Sequence, residues 1–197
     1  MQSYPFLHLP SLSLSFSHSF SRLTATTKTP SPFLCLYSSS ASSSFSISDA
    51  DLQSRGFSVR LSPSGLDLDA LNDVFARVGF PRRDPAKIRR ALDHASGAVV
   101  WLASSAAGGK PVAFARATGD GVFNAVVWDV VVEPSYQGIG LGKAVMERIV
   151  AELREKGVGN IALYAEPRVV AFYRPLGFVA DPDGIRGMVY SRKNKKR

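Results

Sequence analysis

The sequence has very few residues of the kinds that hold metal ions or act as covalent nucleophiles. It contains one cysteine, Cys35, and three histidines, His8, His18 and His94. Three of these four residues lie in the first 48 positions, a segment that we expect to be removed. The remaining chain would keep only His94, on a predicted helix near no nucleophile motif. This excludes disulfides, a Cys/His metal site and a cysteine nucleophile from that part of the chain.

Long apolar runs are also missing, and no stretch is long enough to span a bilayer. Acidic residues are absent before Asp49, where the chain is rich in serine and carries only Arg22 and Lys28 as basic residues. This composition is typical of an organelle transit peptide, of the plastid type because arginine is sparse. The alternative is a low-complexity N-terminus with no targeting role. We therefore expect residues 1–50 to be a disordered chloroplast transit peptide and the protein to reside in the plastid stroma.

The charge balance favours anionic partners. Lys and Arg number 24 against 16 Asp and Glu, which gives a formal net charge of +8. Nucleic acid is one such partner and a phosphate-bearing cofactor is another. The basic tail at residues 191–197 is short and lacks interleaved aromatic residues, so a nucleic-acid contact there is the weaker interpretation. The 45% hydrophobic content is that of a globular protein with a core, and we place one domain at residues 56–190.

The most informative stretch passes from a strand through a glycine-rich turn into a helix. Residues 126–132 are of strand type, and glycines follow at Gly138, Gly140 and Gly142. From Lys143 onward the apolar residues recur at helical spacing. Alternate glycines let the backbone approach a ligand without Cβ clashes, and the free N–H groups of a helix N-terminus bind anions. The stretch therefore predicts a phosphate-binding turn.

Three ligand classes use turns of this kind. A nucleoside-triphosphate loop needs Ser or Thr after its lysine, and Ala144 follows Lys143. A dinucleotide fingerprint needs a third glycine where Lys143 stands, although Glu166 at the end of the next strand resembles its ribose-binding acid. The third pattern, Gln/Arg-x-x-Gly-x-Gly/Ala, is met in full, by Gln137, Gly140 and Gly142.

That third pattern resembles the pyrophosphate-binding signature of the GNAT superfamily of acetyl-CoA-dependent N-acetyltransferases. A second motif, residues 169–178, resembles the superfamily's helix, Phe-Tyr, x-x-Leu-Gly-Phe element. The resemblance covers about Phe57 to Tyr190 and is closest to the plant plastid branch, which includes serotonin N-acetyltransferases and plastid protein acetyltransferases. The branch-level similarity is carried by residues 78–83, 132–138 and 180–188.

The resemblance implies an α/β (α+β) GNAT fold with a central mixed sheet of six to seven strands and about four helices. In that fold an antiparallel N-terminal meander precedes a parallel, splayed central pair. The residue patterns agree, because three consecutive runs joined by short turns predict a meander, and the strand–helix–strand order after residue 122 predicts a parallel pair. The predicted strands are residues 57–61, 98–103, 111–117, 122–132, 161–164 and 188–190. The predicted helices include residues 68–78 and a second one with Asp84 as N-cap and Pro85 at its first position.

The resemblance also implies a binding site for acetyl-CoA and no metal. The diphosphate would be bound by the turn, residues Gln137, Gly138, Ile139, Gly140, Leu141, Gly142 and Lys143. The pantetheine arm would lie along the backbone of Val130, Val131 and Val132, and the coenzyme would also meet Glu166, Pro167, Val169 and Tyr173. One departure is that many relatives carry an asparagine where this chain has Glu166 and Pro167, so that amide contact is missing here.

Acetyl transfer from a thioester to an amine requires a deprotonated amine and a proton for the departing thiolate. With no thiol or triad, direct transfer between two bound substrates is expected rather than an acyl-enzyme. Tyr173 matches the superfamily tyrosine that serves as general acid, and a phenol with a pKa of about 10 stays protonated at neutral pH. The alternative is that Phe172 and Tyr173 are ordinary core aromatics.

The general base is a choice between two carboxylates. Strand alternation places Asp129, Val131 and Glu133 on one face and Trp128, Val130 and Val132 on the other, unless a bulge resets the parity. Asp129 is the first candidate, acting through a water, and Glu133 is the second. The alternative is that Asp129 is not a base and only attracts the cationic amine or holds a neighbouring loop in place.

The expected function is therefore direct acetyl transfer from acetyl-CoA to a primary amine. Protein lysine side chains or N-termini in plastids are the first acceptor class, and a small arylalkylamine such as serotonin is the alternative. A non-catalytic acyl-CoA-binding module is the alternative from another class. Nothing in the sequence indicates an oligomeric state.

Overall fold

The computed structural model of the protein describes residues 45–93, 97–184 and 186–188. The predicted roles of the first 44 residues, of His94 and of the basic tail lie outside these ranges, as does most of the predicted strand 188–190. The helices are α1 Asp49–Ser54, α2 Leu68–Arg77, α3 Pro85–Asp93, α4 Leu141–Glu155 and α5 Val170–Tyr173. The strands are β1 Phe57–Arg60, β2 Val99–Ser104, β3 Lys110–Gly119, β4 Asn124–Val132 and β5 Asn160–Leu163. No helix among the described residues has the length and apolar character needed to cross a membrane.

The five strands form one mixed sheet in sequence order, β1-β2-β3-β4-β5. The first four pair antiparallel, and β4 pairs with β5 parallel. This confirms the predicted meander and parallel pair. The described residues contain five strands where six to seven were predicted.

Helices cover both faces of the sheet. On one face α4 buries an apolar stripe that includes Val145, Ile149 and Leu153, each at most 1% exposed. On the other face α2 and α3 pack against the sheet through a second cluster that includes Ile88, and in it the Phe75 ring meets the Phe114 ring edge-on at 6.1 Å. The helical spacing read from the sequence therefore identified the buried faces correctly.

The folded domain begins upstream of Gly56, where the sequence analysis placed its start. Ser48 caps α1, because its side chain accepts a hydrogen bond from the Asp51 N–H at 3.0 Å. Leu52 of the same helix is completely buried in the core. The serine-rich composition of the first 48 residues concealed this cap, since serine suits both a low-complexity segment and a helix N-terminus.

A bulge in β4 and an early end to β5 shape the centre of the sheet. Arg116 pairs with Trp128 and Phe114 pairs with Val131, so β4 has one residue more than β3 across this interval. Asp129 lies in the bulge with a φ of 57°, a left-handed conformation that aspartate tolerates better than most residues. The parallel pairing of β4 ends at Val127, so the rest of β4 has no strand on its β5 side among the described residues.

Candidate functional site

The turn before α4 is built to expose backbone N–H groups. Gly138 and Gly140 have φ values of 79° and 90°, which a residue with a Cβ would adopt only with strain. Gly140 is the N-cap of α4 and supplies no side chain to the helix end. The first intrahelical bond runs from the Ala144 N–H to the Gly140 carbonyl at 3.0 Å. The three N–H groups before it, those of residues 141–143, therefore have no helical partner and stand at the positive end of a 15-residue helix.

Gly142 brings the turn, β4 and α5 into close contact. A Cβ at Gly142 would lie 3.3 Å from Val132 Cγ2 and 3.4 Å from Phe172 Cζ. A larger residue would require the Val132 or Phe172 side chain to move by a few tenths of an ångström. The three segments that the sequence assigned to donor binding thus converge at one glycine.

Gln137 holds the turn to the end of β4. Its side-chain Nε2 donates to the Val132 carbonyl at 3.0 Å. The amide group of Gln137 therefore shapes the backbone of the turn in this structure. Lys143, at the other end, lies 3.7 Å from Glu147 and is about half exposed.

Beyond Val127, none of the described strands pairs with β4 on its β5 side. The side chains of Val130, Val132 and Tyr173 all pack against the core cluster under α4. Since backbone groups on an unpaired strand edge are open to a ligand, residues 130–132 offer hydrogen-bonding groups of the kind that an extended amide-bearing chain would use.

Tyr173 is half-buried between two aromatic rings. The Phe172 ring lies 4.9 Å from the Tyr173 ring and the Phe178 ring 6.0 Å from it, both edge-on. Burial raises the pKa of the Tyr173 phenol above its ordinary value. Its hydroxyl forms no hydrogen bond with the described residues.

Asp129 is enclosed by two arginines. The Arg83 Nη1 and Nη2 atoms each donate to one carboxylate oxygen at 2.7 Å, and the Arg116 Nε atom donates at 2.6 Å. Burial acts to raise the pKa of Asp129, but the hydrogen bonds and charges of Arg83 and Arg116 outweigh it and lower that pKa. Asp129 is thus ionised at neutral pH and is a weak base. The bond to Asp129 in turn raises the pKa of Arg83, against a smaller opposing effect of burial.

A cavity of about 220 Å³ opens beside this ion cluster, between α2, α3 and the sheet. Its walls are mostly apolar, and its charged groups are the Arg83, Arg116 and Lys87 cations and the Asp129 carboxylate. The charge around the cavity is positive, because one carboxylate offsets only one of three cations.

Glu133, the second candidate base, is held by one arginine. Its Oε2 atom accepts from Arg77 at 2.8 Å, and the Glu133 side chain is 14% exposed. The residue follows the end of β4, and its backbone N–H donates to the Val112 carbonyl at 2.8 Å. Glu133 therefore connects α2 to the start of the turn.

The bulge places Trp128 on the same face as Asp129, so the predicted alternation is wrong at this point. Trp128 pairs in register with Arg116, whose side chain binds Asp129, and directly paired residues project to the same side of a sheet. The Trp128 Nε1 atom donates to Thr118 Oγ1 at 2.8 Å, on that same face.

Trp128 and Tyr164 form an aromatic pair that the sequence analysis did not select. Their ring centroids lie 5.5 Å apart, and the residues are 37% and 57% exposed. They stand directly after the last paired residues of β4 and β5, where the two strands separate. The pair could be found only once it was known where β4 and β5 separate, because each residue alone resembles an ordinary aromatic residue of a strand.

The segment between β5 and α5 holds the remaining predicted residues. Glu166 is exposed and pairs with Arg168 at 2.6 Å, and its carbonyl accepts from the Val169 N–H at 2.9 Å. Pro167 opens a short 3-10 turn that ends at Val169, directly before α5. No described contact joins Glu166 to the glycine turn. Within the described ranges, no group of three or more His, Cys, Asp or Glu is arranged to hold a metal ion.

Comparisons with known proteins agree with this geometry. The sequence profile of the Acetyltransferase (GNAT) family matches residues 67–178. The chain is 68% identical over 150 residues to serotonin N-acetyltransferase 2, chloroplastic, of Oryza sativa subsp. japonica, a match that covers 75% of this chain and 74% of the relative. It is 64% identical over 149 residues to GCN5-related N-acetyltransferase 1, chloroplastic, of Arabidopsis thaliana, covering 76% of this chain and 75% of the relative.

A solved structure shows the same fold. A Trypanosoma brucei acetyltransferase superposes with a TM-score of 0.56 at 25% sequence identity. The superposition covers 68% of this chain and 99% of the other.

Proposed function

Because the chain belongs to the GNAT acetyltransferase family, we propose that it transfers the acetyl group of acetyl-CoA directly to a primary amine. One observation carries the proposal. The N–H groups at the start of α4, which have no partner within the helix, adjoin the helix that bears Tyr173 and the edge of β4 that pairs with no described strand. The start of α4 would bind a diphosphate, the edge of β4 an extended amide chain, and the region of Tyr173 a thioester.

The residues of the turn fit a diphosphate. Gly138 and Gly140 have left-handed conformations that few other residues adopt, and nothing lies within 4 Å of the Cβ position at Gly138, so a ligand can approach the backbone there. The helix N-terminus favours negative charge, and Lys143 adds a cation. When bound, acetyl-CoA supplies an activated acetyl thioester. The turn would hold the diphosphate of acetyl-CoA, and the backbone at residues 130–132 would hold its pantetheine arm. One N–H of that backbone would donate a hydrogen bond to the thioester oxygen.

Tyr173 is the proposed general acid. Its phenol stays protonated because burial raises the pKa, and its hydroxyl is not committed to another described residue. As the amine nitrogen bonds to the acetyl carbon and the carbon–sulfur bond breaks, the Tyr173 proton passes to the departing sulfur. The proton that the nitrogen loses passes to Glu133 or to solvent, from which Tyr173 regains its own.

Asp129 is proposed to act through the cations it holds, although the sequence favoured it as the base. A carboxylate bound by two guanidinium groups gains little from taking a proton, and its pKa is lowered. The surplus positive charge around Arg83, Arg116 and Lys87 lowers the pKa of any amine that enters beside it. The acceptor therefore reaches the thioester in its neutral, nucleophilic form. Glu133 is proposed, in place of Asp129, as the acceptor of the proton that the nitrogen loses, because only one arginine binds it.

The acceptor class is proposed from the aromatic pair. Trp128 and Tyr164 offer exposed rings where β4 and β5 separate, and such rings stack on a flat aromatic group. This observation favours an arylalkylamine such as serotonin, in agreement with the name of the rice relative, over the protein lysine or N-terminal amine that led in the sequence analysis. The protein amine stands as the second candidate, because it requires the same chemistry at the nitrogen.

One experiment tests these proposals together. Free thiol release from acetyl-CoA is followed with serotonin and, in parallel, with peptides that carry either a free N-terminus or a lysine. We expect turnover with an amine, with the larger kcat/KM for serotonin. Larger kcat/KM values for peptides would assign the protein-amine class. Acetyl-CoA binding without thiol release for any amine would instead show a binding module.

Plastid localisation is proposed from two agreeing sources. The first 44 residues are serine-rich and free of acidic residues, and both close relatives carry the word chloroplastic in their names. A fluorescent reporter fused behind residues 1–55 is expected to enter plastids. A diffuse cytosolic signal would contradict the proposal.

A further inference from the structure

Residues 45–55, which we call the N-terminal clasp, are attached to the first half of α4. The Ser46 N–H and Oγ both donate to Glu147 Oε2, at 2.9 and 2.8 Å. The Ile47 carbonyl accepts from Arg148 Nη2 at 2.9 Å, and Asp49 accepts from Arg148 Nε at 2.9 Å. These contacts join positions about 100 residues apart in sequence, so they exist only in the folded domain.

Arg148 depends on the clasp for most of its partners. Its side chain is only 3% exposed, and its one described bond outside the clasp runs to the Ala144 carbonyl at 2.9 Å. The Phe45 ring covers the guanidinium at 4.4 Å. Since a buried charge without partners is costly, α4 keeps its position best when the clasp is present.

The clasp also touches the glycine turn directly. Arg55, at the end of α1, donates from Nη2 to the Ile139 carbonyl at 2.9 Å. From the other end of the clasp, Ile47 approaches so closely that a Cβ on Gly140 would lie 2.8 Å from Ile47 Cδ1. Contacts from both ends of the clasp therefore confine the same peptide unit.

The hydrogen bond from Arg55 to the Ile139 carbonyl fixes the direction of the Gly140 N–H. The Ile139 carbonyl and the Gly140 N–H belong to one planar trans peptide, so they point in opposite directions. A carbonyl held towards Arg55 turns the Gly140 N–H away from it. A glycine peptide without that bond rotates at little cost, since glycine accepts φ of either sign. Arg55 also adds a positive charge beside the turn.

We propose that Arg55 is a positioning residue for acetyl-CoA, and that the clasp keeps the glycine turn in the conformation that binds the diphosphate. This inference rests on the proposed function of the turn. It adds a second element, upstream of the region matched by the family profile, to the donor site. It also sets a limit on processing, because a mature chain that retains the whole clasp begins at or before Phe45.

The test is a set of arginine substitutions in the full chain. Arg55→Ala is compared with Arg55→Lys and with Arg60→Ala, which removes an exposed arginine on the neighbouring β1. For each, calorimetry measures acetyl-CoA binding, kinetics give kcat and the KM for acetyl-CoA, and melting reports stability. We expect Arg55→Ala to weaken binding and raise the KM for acetyl-CoA about tenfold, because binding must then restore the turn conformation that the lost hydrogen bond held. The kcat should stay within about twofold, and the melting temperature should fall by no more than about 4 °C.

The controls separate the possible failures. Arg55→Lys keeps a donor and a charge and should recover much of the affinity, and Arg60→Ala should equal the wild type. If Arg55→Ala binds acetyl-CoA as the wild type does, or loses affinity no more than Arg60→Ala, the role of Arg55 is refuted while the proposed function stands. If the wild type itself does not bind acetyl-CoA, the proposed function fails, and this inference fails with it.

Discussion

Arg83 binds Asp129 through two parallel hydrogen bonds of 2.7 Å, and the two residues lie 46 positions apart in the sequence. Arg83 comes from the connection between α2 and α3, and Asp129 from the bulge of β4. The pair therefore attaches the helical layer to the strand that the proposed reaction uses. This arrangement, with Arg116 as a third member, identifies Asp129 as an anchor for cations.

Substitution of Asp129 by asparagine tests the anchor. Asp129→Asn keeps the shape of the side chain but leaves Arg83 and Arg116 without their counter-charge. We expect a loss of about 2 kcal/mol in the free energy of unfolding, below the value for a fully buried pair because Arg83 is 37% exposed. Urea denaturation measures the change. Asp93→Asn, at an exposed position on α3, is the matched control and should change stability by less than about 0.5 kcal/mol.

The pH dependence of turnover distinguishes an anchor from a base. The lowered pKa of Asp129 keeps it ionised throughout the neutral range, so its stabilising effect is present above the unfolded pKa of about 3.9 and is lost as the pH falls through the folded pKa. We expect the acidic limb of kcat/KM to keep its midpoint in Asp129→Asn while the rate falls. Disappearance of that limb in the variant would instead identify Asp129 as the base.

The phenol of Tyr173 is tested by removing one oxygen. Tyr173→Phe should lower kcat about 100-fold or more, the usual size of an acid–base contribution, with acetyl-CoA affinity within about twofold. Because burial raises the Tyr173 pKa, wild-type turnover should fall only as the pH rises above about 10. Tyr136→Phe, whose hydroxyl lies 3.3 Å from Ser104 Oγ, should retain near-normal kcat. A Tyr173→Phe enzyme as fast as this control would eliminate the proposed acid.

The aromatic pair is tested through the acceptor. Trp128→Ala should raise the KM for serotonin about tenfold, as expected for loss of one stacking partner and its apolar area, and leave the KM for acetyl-CoA unchanged. Phe123→Ala removes an aromatic that is 71% exposed in the turn before β4 and should change neither constant. Equal KM values for serotonin in the two variants would show that Trp128 does not contact the acceptor.

The N-terminus of the mature protein tests the clasp in its cellular setting. Ser46, Ile47 and Asp49 all bind α4, so processing that removed them would leave Arg148 buried with few partners. Mass spectrometry of the protein isolated from plastids should find its first residue at or before Phe45. A dominant species that begins after Asp49 would contradict a role for the clasp in the mature enzyme.

The sequence predicted the local geometry of the glycine turn and of a helix cap well, because both depend on neighbouring residues. The turn at residues 137–143 is a contiguous pattern of glycines followed by a helix. The structure places Gly138 and Gly140 in the conformations that only glycine adopts readily. The N-cap at Asp84 was equally local, and its carboxylate accepts from the Ala86 N–H at 2.8 Å.

The features that sequence reasoning missed depend on distant pairing. The sequence offered Asp129 as a base or as a residue that holds a neighbouring loop, but it could not identify Arg83 and Arg116 as the partners that the fold brings to it. One extra residue in β4 reversed the side to which Trp128 points, and no residue type signals such a bulge in advance. The clasp was hidden because its serines resemble the low-complexity segment before it, while its partner Arg148 lies about 100 residues later.

The most direct measurement of the central claim follows backbone amides in nitrogen-15-labelled protein during titration. Acetyl-CoA should shift the amide signals of residues 138–143 most strongly, because their N–H groups would bind the diphosphate. S-acetylpantetheine, which lacks the diphosphate, should leave these signals in place and perturb those of residues 130–132. Unchanged signals at residues 138–143 with saturating acetyl-CoA would show that the start of α4 is not the donor site.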